Sequence, residues 1–393
     1  MFSKLEDYDF KEKRILLRAD LNVPIQNNEI TNDSRIRKSI PTIKAILDKK
    51  PHQLIIISHL GRPKGEYSPE LSLKPVAEHL QKLLGQKIHF ETNPRINNLT
   101  GVPDEKIVML ENLRFDNVEI DNDDFFAHKL AGFADVFVLD AFGAVHRNHA
   151  SIVGVPKYIP SCAGLLLERE ISYLRDTLSK PEKPYVAIIG GAKTDKEKVI
   201  DVLLEKVDML IVGGVLANTF LKAKGFNIGK SKFSNEFIEH AKQLIEKYPN
   251  KIAVPVDFII GNKFSEDAEA RVAGIKDNID SWMILDIGPY TISGYIKILN
   301  KAKTVFWAGP IGVFEYEKFR RGTWDIARNL AELDITKIIG GGESAAAIEF
   351  FKLQDKMTHV STGGGAALEL ISGNVLPGIK ALEENYEKFK KPQ

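Results

Sequence analysis

Short runs of apolar residues, many of them β-branched, recur along the whole chain. Ten of these runs predict β-strands, at residues 13–19, 53–58, 107–110, 135–140, 185–190, 208–213, 251–256, 303–307, 335–340 and 356–361. Most runs are continuous and do not alternate with polar residues, which indicates strands buried on both faces, as in parallel sheets. Amphipathic segments lie between them, and one of these opens with Ser72 as a candidate helix cap and ends at Gly85. This alternation predicts an open α/β sheet in each half of the chain.

A domain boundary is predicted near the middle of the chain. Apolar residues recur at helical spacing within residues 165–179, at Leu167, Ile171, Leu174 and Leu178. Two prolines then precede the next predicted strand. The pattern predicts a helix that joins two domains, although one more crossover helix within a sheet would give the same spacing. The length of 393 residues also favours two domains, and residues 379–391 predict a surface helix.

Composition and charge exclude several classes of protein. The chain carries 54 Lys and Arg against 53 Asp and Glu, a balance that argues against a dedicated nucleic-acid-binding protein. No apolar run approaches the roughly 18–20 residues that a membrane span requires, and residues 1–13 lack the apolar stretch of a signal peptide. The single cysteine, Cys162, excludes an intrachain disulfide. We therefore expect a cytoplasmic protein without a membrane segment.

Arginine and histidine follow the predicted strands of the first half. The polar residues at these positions are Asp20, Asn22, Arg35, His59, Arg62, Arg114, His146, Arg147 and His149. Ligands of parallel sheets bind beyond the carboxyl ends of the strands, so we expect these side chains to meet at one edge. Guanidinium groups bind phosphate or carboxylate bidentately, which predicts a site for a small anion, although any single arginine could be a solvated surface charge. The histidines lack a metal-binding motif, which favours hydrogen bonding to the anion over metal ligation.

Glycine follows the predicted strands of the second half. The glycine-rich segments are residues 190–196 (which also carry Lys193 and Lys196), 213–214, 309–315, 340–344 and 363–365. Glycine lets backbone amides approach a phosphate, and a following helix N-terminus adds positive potential. The pattern predicts a nucleotide site, although a plain tight turn is the alternative for any single glycine pair. Together, the two halves predict transfer of a phosphoryl group.

Two segments come close to known nucleotide-binding motifs. Residues 225–231 resemble a Walker A loop but are one residue short and do not follow a strand directly, so we reject that interpretation. Residues 340–345 fit a variant of the dinucleotide fingerprint, but the next predicted strand ends in Ser361 and Thr362, with no acid to hold a ribose. A nicotinamide-dependent dehydrogenase is therefore only a weak alternative.

Eight motifs, in order along nearly the whole chain, resemble those of the phosphoglycerate kinase family. They are LRADLNVP (17–24), SHLGRP (58–63), LENLRF (110–115), DAFGAVHRNHAS (140–151), GGAK (190–193), GPIGVFE (309–315), GGGES (340–344) and STGGGAALEL (361–370). The resemblance implies two doubly wound, Rossmann-like parallel-sheet domains, separated by a cleft and joined by a helix hinge at residues 165–179. It assigns glycerate-phosphate binding to residues 1–166 plus 377–393. Nucleotide binding is assigned to residues 167–376.

The implied activity is that of a glycolytic kinase. The family transfers a phosphoryl group reversibly between 1,3-bisphosphoglycerate and ADP, giving 3-phosphoglycerate and ATP, in line and on domain closure. The resemblance also implies Mg²⁺, carried as MgATP or MgADP, and a monomer. The acceptor carboxylate is ionised at pH 7, so no general base is required. A scaffold that keeps the fold but has lost activity is an alternative, because Ala308 stands where the family commonly has asparagine.

The resemblance also assigns roles to individual residues. The implied glycerate-phosphate site consists of Asp20, Asn22, Arg35, His59, Gly61, Arg62, Arg114 and Arg147. The implied nucleotide site consists of Gly191, Lys193, Lys196, Gly213, Gly214, Gly288, Glu315, Gly341, Gly342, Glu343 and Ser344, with Glu343 as the metal ligand. The implied catalytic residues are Arg35, Lys193, Lys196, Gly341 and Gly364. Lys198 is an alternative to Lys196, because the lysine loop is one residue shorter than the family pattern.

Because the two implied sites belong to different domains, we expect the protein to close when both substrates are bound. Small-angle X-ray scattering should give a smaller radius of gyration with 3-phosphoglycerate and MgADP together than with either one alone. An unchanged radius of gyration with the full pair would contradict closure.

Overall fold

A computed structural model describes residues 1–93, 95–192 and 199–389 and divides the chain into two compact units. The first unit comprises Met1–Ser172 and the segment that begins at Val375, and the second comprises Tyr173–Asn374. The division falls inside the segment for which the sequence predicts a linking helix. In the structure this segment is an α-helix followed by a π-helical stretch at Ser172–Thr177.

The strands of the first unit build one parallel sheet and one small hairpin. Among the described residues, they are β1 (Arg14–Ala19), β2 (Ile25–Gln26), β3 (Glu29–Ile30), β4 (Gln53–Ile57), β5 (His89–Phe90), β6 (Ile107–Met109), β7 (Val136–Asp140) and β8 (Ser161–Ala163). The parallel sheet has the order β5-β6-β4-β1-β7-β8, and β2 pairs with β3 in antiparallel fashion. Every residue of β4 and β7 is buried, as a continuous apolar run predicts.

Helices cover this sheet. Those that precede the second unit are α1 (Ser34–Asp48), α2 (Lys74–Leu84), α3 (Asn117–Ile120), α4 (Asp124–Ala131) and α5 (Leu165–Ile171). α2 ends at Gly85 in the left-handed conformation, which confirms the predicted terminator. Its predicted cap, Ser72, lies one residue before the cap position, which Leu73 holds, but the Ser72 hydroxyl oxygen still accepts the backbone N–H of Lys74 (3.2 Å). The same hydroxyl donates to Glu111 (2.6 Å), whose carboxylate also accepts the backbone N–H of Leu73 (2.8 Å).

The second unit holds a second parallel sheet and an antiparallel sheet. Its described strands are β9 (Tyr185–Ile189), β10 (Met209–Val212), β11 (Ile252–Ala253), β12 (Asp257–Gly261), β13 (Ala270–Gly274), β14 (Met283–Ile287), β15 (Thr304–Ala308), β16 (Thr336–Ile339) and β17 (His359–Val360). The parallel sheet has the order β11-β10-β9-β15-β16-β17, and the antiparallel sheet has the order β13-β12-β14. The antiparallel sheet was not predicted, because β13 is largely exposed and gives no continuous apolar run.

The helices of the second unit alternate with the strands of its parallel sheet. They are α6 (Ile200–Lys206), α7 (Gly214–Ala223), α8 (Ile238–Lys247), α9 (Pro289–Leu299), α10 (Arg321–Glu332), α11 (Glu343–Phe350) and α12 (Gly364–Ile371). In each unit the chain builds the sheet outward on one side of its first strand and then returns to the other side. This is the doubly wound order, and the reversal leaves a crevice at the carboxyl ends of the central strands. The α/β class with two parallel-sheet units is therefore confirmed.

The last helix, α13 (Pro377–Phe389), belongs to the first unit. Its Asn385 is 2 % exposed and satisfies three backbone groups beside β8, which is an edge strand of the sheet. The side-chain oxygen accepts the Ser161 N–H (2.9 Å), and the amide nitrogen donates to the carbonyls of Ile159 (2.8 Å) and Pro156. The chain thus completes its first unit with residues that follow the second. None of the described helices combines the length and the apolar character needed to cross a bilayer.

Replacing Asn385 should loosen the attachment of α13. Asn385→Ala leaves three buried backbone groups without their partner, and we expect the free energy of unfolding to fall by about 2–3 kcal/mol. Urea unfolding followed by circular dichroism measures this change, and hydrogen exchange should become faster at the Ser161 amide. The control is Glu387→Ala, an exposed position on the same helix. Equal stability of the two variants would contradict the role assigned to Asn385.

Candidate active site

A cavity of about 480 Å³ lies at the carboxyl ends of the central strands of the first unit. Its lining includes all eight residues assigned by sequence to the glycerate-phosphate site: Asp20, Asn22, Arg35, His59, Gly61, Arg62, Arg114 and Arg147. The strand ends of β1, β4, β6 and β7 supply seven of them, and α1 supplies Arg35. Lys64, His146 and His149 also line the cavity. The structure therefore brings together residues that are far apart in sequence.

Arg35 is held at this cavity by an ion pair with Asp20. One terminal nitrogen of the guanidinium, Nη1, donates to both carboxylate oxygens of Asp20 at 3.0 Å. Asp20 is 2 % exposed, so its carboxylate lies beneath the cationic surface. It neutralises part of the positive charge while it orients Arg35, and it can also accept a hydrogen bond from a ligand hydroxyl.

Asn22 and Arg114 are both anchored on the backbone of Gly61. The Asn22 side-chain oxygen accepts the Gly61 N–H (3.0 Å), and Arg114 Nη1 donates to the Gly61 carbonyl (2.7 Å). Burial lowers the pKa of Arg114 to about 10, with nearby Arg18 adding to the effect, so the guanidinium stays charged at pH 7. Its buried Nε has no hydrogen-bond partner among the described residues. A bound anion would offset the cost of such a cation.

Arg62 and Arg147 complete the positive rim of the cavity. Both side chains are exposed, and neither forms an ion pair or hydrogen bond within the described part of the chain. Among the described residues that line the cavity, four guanidinium groups face a single carboxylate, that of Asp20. The local charge is strongly positive, although the net charge of the whole chain is only +1. Such a concentration of guanidinium groups suits a ligand with several negative charges.

Three histidines line the same cavity and stay neutral at pH 7. Burial is the main cause that lowers each pKa, and neighbouring guanidinium groups add to it. The pKa of His146 falls to about 4 and that of His149 to about 3, while the pKa of His59 falls well below its usual range. A neutral imidazole can donate one hydrogen bond without adding charge. Across the described residues, no group of three or more His, Cys, Asp or Glu side chains could hold a metal ion.

The second unit contains a cavity of about 520 Å³ at the carboxyl ends of β9, β10 and β15. Four residues assigned by sequence to the nucleotide site line it: Gly191, Gly214, Glu315 and Glu343. Sequence reasoning missed its apolar wall, to which Phe264, Met283, Leu285, Ile311 and Val313 contribute. Met283 and Leu285 lie on β14, a strand of the antiparallel sheet that was not predicted. An apolar wall beside polar groups suits a heteroaromatic base.

Backbone-to-backbone contacts shape the floor of this cavity. The Gly191 N–H donates to the Pro310 carbonyl (2.7 Å), and the Gly191 carbonyl accepts the Val215 N–H (3.0 Å). Gly214 has a positive φ of 55°, and a methyl group on it would lie 2.4 Å from the Gly191 oxygen. Glycine is therefore required at Gly214 both by its conformation and by the close approach of the two loops.

Glycine loops after β16 and β17 meet in the same way. A methyl group on Gly341 would lie 2.9 Å from the backbone nitrogens of both Gly363 and Gly364. Gly342 directly precedes α11, and Gly364 opens α12. The Ser344 hydroxyl is buried and lies within hydrogen-bonding distance of the carbonyl oxygens of Gly340 and of Gly341 (3.1 Å to Gly341). The side chain therefore stabilises the glycine loop that precedes it.

The remaining nucleotide-site residues lie away from the cavity lining or outside the described residues. Gly213 packs against Ile311, and Gly288 precedes α9 and packs against the carboxylate of Asp257. These close contacts leave no room for a side chain, which explains why both positions are glycine without reference to a bound ligand. The lysine loop, with Lys193, Lys196 and Lys198, lies outside the described residues.

Asp286 and Glu343 are two of the three acidic residues that line this cavity. Burial raises the pKa of Asp286 to about 8, so this carboxyl group is mostly neutral at pH 7 and adds little repulsion toward a nucleotide. Glu343 is half-buried at the first position of α11. In phosphate-transferring enzymes, Mg²⁺ is commonly held by one or two carboxylates together with phosphate oxygens. The donor set therefore fits a Mg²⁺ ion that arrives with the nucleotide.

Known proteins match this chain over nearly its whole length. A family model described as phosphoglycerate kinase matches residues 5–374. The chain belongs to the phosphoglycerate kinase family. The phosphoglycerate kinase of Rubrobacter xylanophilus is 43% identical and is covered to 98%, as is this chain. That of Moorella thermoacetica is 46% identical, with coverage of 97% of this chain and 98% of that protein.

Solved structures agree with this assignment. The structure of phosphoglycerate kinase from Coxiella burnetii matches with a TM-score of 0.86 and 42% identity, covering 98% of this chain and 99% of that one. Membership in the phosphoglycerate kinase family identifies the chain as a glycolytic phosphotransferase and confirms the resemblance seen in its motifs. Neither the dehydrogenase nor the inactive scaffold finds support in these relatives.

Adding one methyl group where the glycine loops meet should disturb the loops that the sequence assigns to nucleotide binding. In Gly341→Ala the loops must separate, and we expect kcat/KM for nucleotide to fall by about 10- to 100-fold. The control is Gly294→Ala in α9, where an added methyl group meets nothing within 4 Å. Steady-state kinetics with varied MgATP, on variants whose folding is checked by circular dichroism, measures the effect. Equal kinetics for the two variants would contradict the inferred contact.

Proposed function

We propose that the first-unit cavity binds 3-phosphoglycerate and 1,3-bisphosphoglycerate, and that the second-unit cavity binds ATP and ADP. The observation that carries this proposal is the convergence of all eight assigned residues on one strongly positive cavity. Four guanidinium groups suit the phosphate and carboxylate of the glycerate substrate. The second cavity combines glycine loops for phosphates with an apolar wall for a base.

The chemistry needs positioning and charge balance more than proton transfer. In the ATP-consuming direction, a carboxylate oxygen of 3-phosphoglycerate forms a bond to the γ-phosphorus. The bond from that phosphorus to the β–γ bridging oxygen breaks, and ADP leaves. No proton is removed from the acceptor, because a carboxylic acid is ionised at pH 7. Negative charge spreads over the γ-phosphoryl oxygens as the reaction proceeds.

Arg35 is our principal candidate for stabilising this charge in the first unit. The Asp20 carboxylate fixes its guanidinium in place before the substrate binds, so little reorganisation is needed. In the second unit we assign the same task to Lys193, Lys196 and the backbone amides of Gly341 and Gly364. Glu343 would hold Mg²⁺ bound with the nucleotide. The ion would neutralise phosphate charge.

We also propose the cellular setting that the glycolytic family suggests. The protein would act in the cytoplasm as a monomer on freely diffusing substrates, without nucleic acid or a membrane as partner. The near-neutral net charge of +1 is consistent with such a protein.

A direct assay of phosphoryl transfer tests the proposed function. Purified protein with 3-phosphoglycerate and MgATP should release ADP, and Arg35→Ala should lower kcat by about 100-fold or more because charge stabilisation is lost. The matched control is Arg37→Ala on the same helix, since Arg37 is exposed, pairs with Asp33 and does not line the cavity. Its activity should stay close to that of the wild type.

Two outcomes would contradict these assignments. A folded wild-type protein without turnover would favour an inactive scaffold, with Ala308 as the first position to examine. An Arg35→Ala variant with turnover like that of Arg37→Ala would remove Arg35 from the mechanism.

A further inference from the structure

Three buried polar residues lie behind the anion cavity and are absent from its lining. Arg18 in β1, Glu119 in α3 and Ser151 in the π-helical segment Ala150–Gly154 are each 0% exposed. Burying a guanidinium and a carboxylate is unfavourable unless each is well paired. Arg18 and Ser151 lie within motifs seen in the sequence, but their association with Glu119 could not be predicted, because the three residues are more than thirty positions apart from one another.

Ser151 connects the two buried charges. Arg18 Nε donates to the Ser151 hydroxyl oxygen (2.9 Å), and that hydroxyl donates to Glu119 Oε1 (2.7 Å). The Ser151 backbone N–H donates to the other carboxylate oxygen (2.9 Å). Since arginine is only a donor, the single hydroxyl proton must point to Glu119. The direction of both hydrogen bonds is therefore fixed.

The other end of Arg18 reaches His59. The distance from Arg18 Nη2 to His59 Nδ1 is 3.0 Å. A guanidinium cannot accept a hydrogen bond, so Nδ1 must present its lone pair and the ring proton must sit on Nε2. Because Nδ1 is occupied by Arg18, the opposite edge of the ring is the one left for the cavity that His59 lines.

A second proton on His59 is disfavoured by its surroundings. Protonating Nδ1 would set two N–H donors against each other at the contact with Arg18. Burial lowers the pKa of His59 well below its usual range, and the charged groups Arg18, Arg114 and Arg35 lower it further, as does nearby His149. The geometry and the charges thus select the same neutral form of the ring.

We propose that Arg18, Ser151 and Glu119 are positioning residues that hold His59 as a neutral imidazole whose Nε2–H donates to the bound glycerate phosphate. The identity of this ligand rests on the function proposed above. We call this chain of hydrogen bonds, from Glu119 through Ser151 and Arg18 to His59, the relay. It lets the site use histidine as a hydrogen-bond donor of fixed direction, while the guanidinium groups of the rim supply the charge. Arg18 therefore acts on the substrate through His59.

Nuclear magnetic resonance of the full-length protein labelled with ¹⁵N-histidine tests this assignment without ligand. The expected spectrum of His59 shows a protonated Nε2 and an unprotonated Nδ1, unchanged from pH 8 to pH 6. In Arg18→Met the fixed acceptor role of Nδ1 is lost, and we expect both tautomers and titration within this range. A wild-type ring protonated on Nδ1 would overturn the proposal.

Ser151→Ala provides a second variant that keeps Arg18 if Arg18→Met does not fold. Its control is Ser161→Ala, because the Ser161 hydroxyl is buried in the same unit but donates to Ile159 (2.8 Å), away from the cavity. We expect Ser151→Ala to shift the His59 nitrogen signals and to raise the Kd for 3-phosphoglycerate by about 3- to 10-fold. The KM for MgATP should stay unchanged. Signals and Kd identical to those of Ser161→Ala would overturn the relay.

The two proposals fail in different ways. If wild-type protein does not bind 3-phosphoglycerate in titration calorimetry, the proposed function fails, whereas the tautomer of His59 is measured without ligand. If 3-phosphoglycerate binds but both variants leave the His59 spectrum unchanged, the relay fails and the proposed function stands.

Discussion

The central strands of both parallel sheets are buried on both faces, and this constraint determines where the chain can place polar chemistry. Strands such as β4 and β7 have no exposed residue, so most charged groups lie where the strands end, and a charge within a strand, such as Arg18 in β1, needs buried partners. The doubly wound order then leaves a crevice at the carboxyl ends of the central strands in each unit. Fold and function are linked at this edge, since the burial that stabilises the sheets also forces the reactive residues to one side of them.

The two units use this edge in physically different ways. The first unit gathers cations and restrains them with carboxylates beneath the surface, Asp20 under Arg35 and Glu119 behind Arg18. The second unit relies on close backbone approach, as at Gly214 and Gly341, where a single methyl group would not fit. An electrostatic site can exchange one donor for another of similar charge. A site made of backbone contacts has no such freedom, because its shape depends on the absence of side chains.

Residues that closely follow a continuous apolar run, such as Asp20, His59 and Arg114, were expected to meet at one edge of the sheet, and they line one cavity. Gly85 was recognised as a helix end because it follows an amphipathic segment. Sequence reasoning failed where the signal is weak. β13 is largely exposed, and the short apolar run of β14 is interrupted by Asp286, so the apolar wall of the second cavity was not predicted. Sequence reasoning also could not find the relay at Arg18, because partners 133 residues apart in the chain meet only after the sheet has formed.

The return of α13 to the first unit has a consequence for biosynthesis. Residues 173–374 form a continuous unit, whereas the first unit needs Asn385 to satisfy the backbone beside β8. During translation, the second unit emerges in full before that asparagine leaves the ribosome, although domains generally complete folding from the N-terminus. The part of the chain made first is therefore completed after the second unit, because the backbone beside β8 lacks its Asn385 partner until that unit has been made.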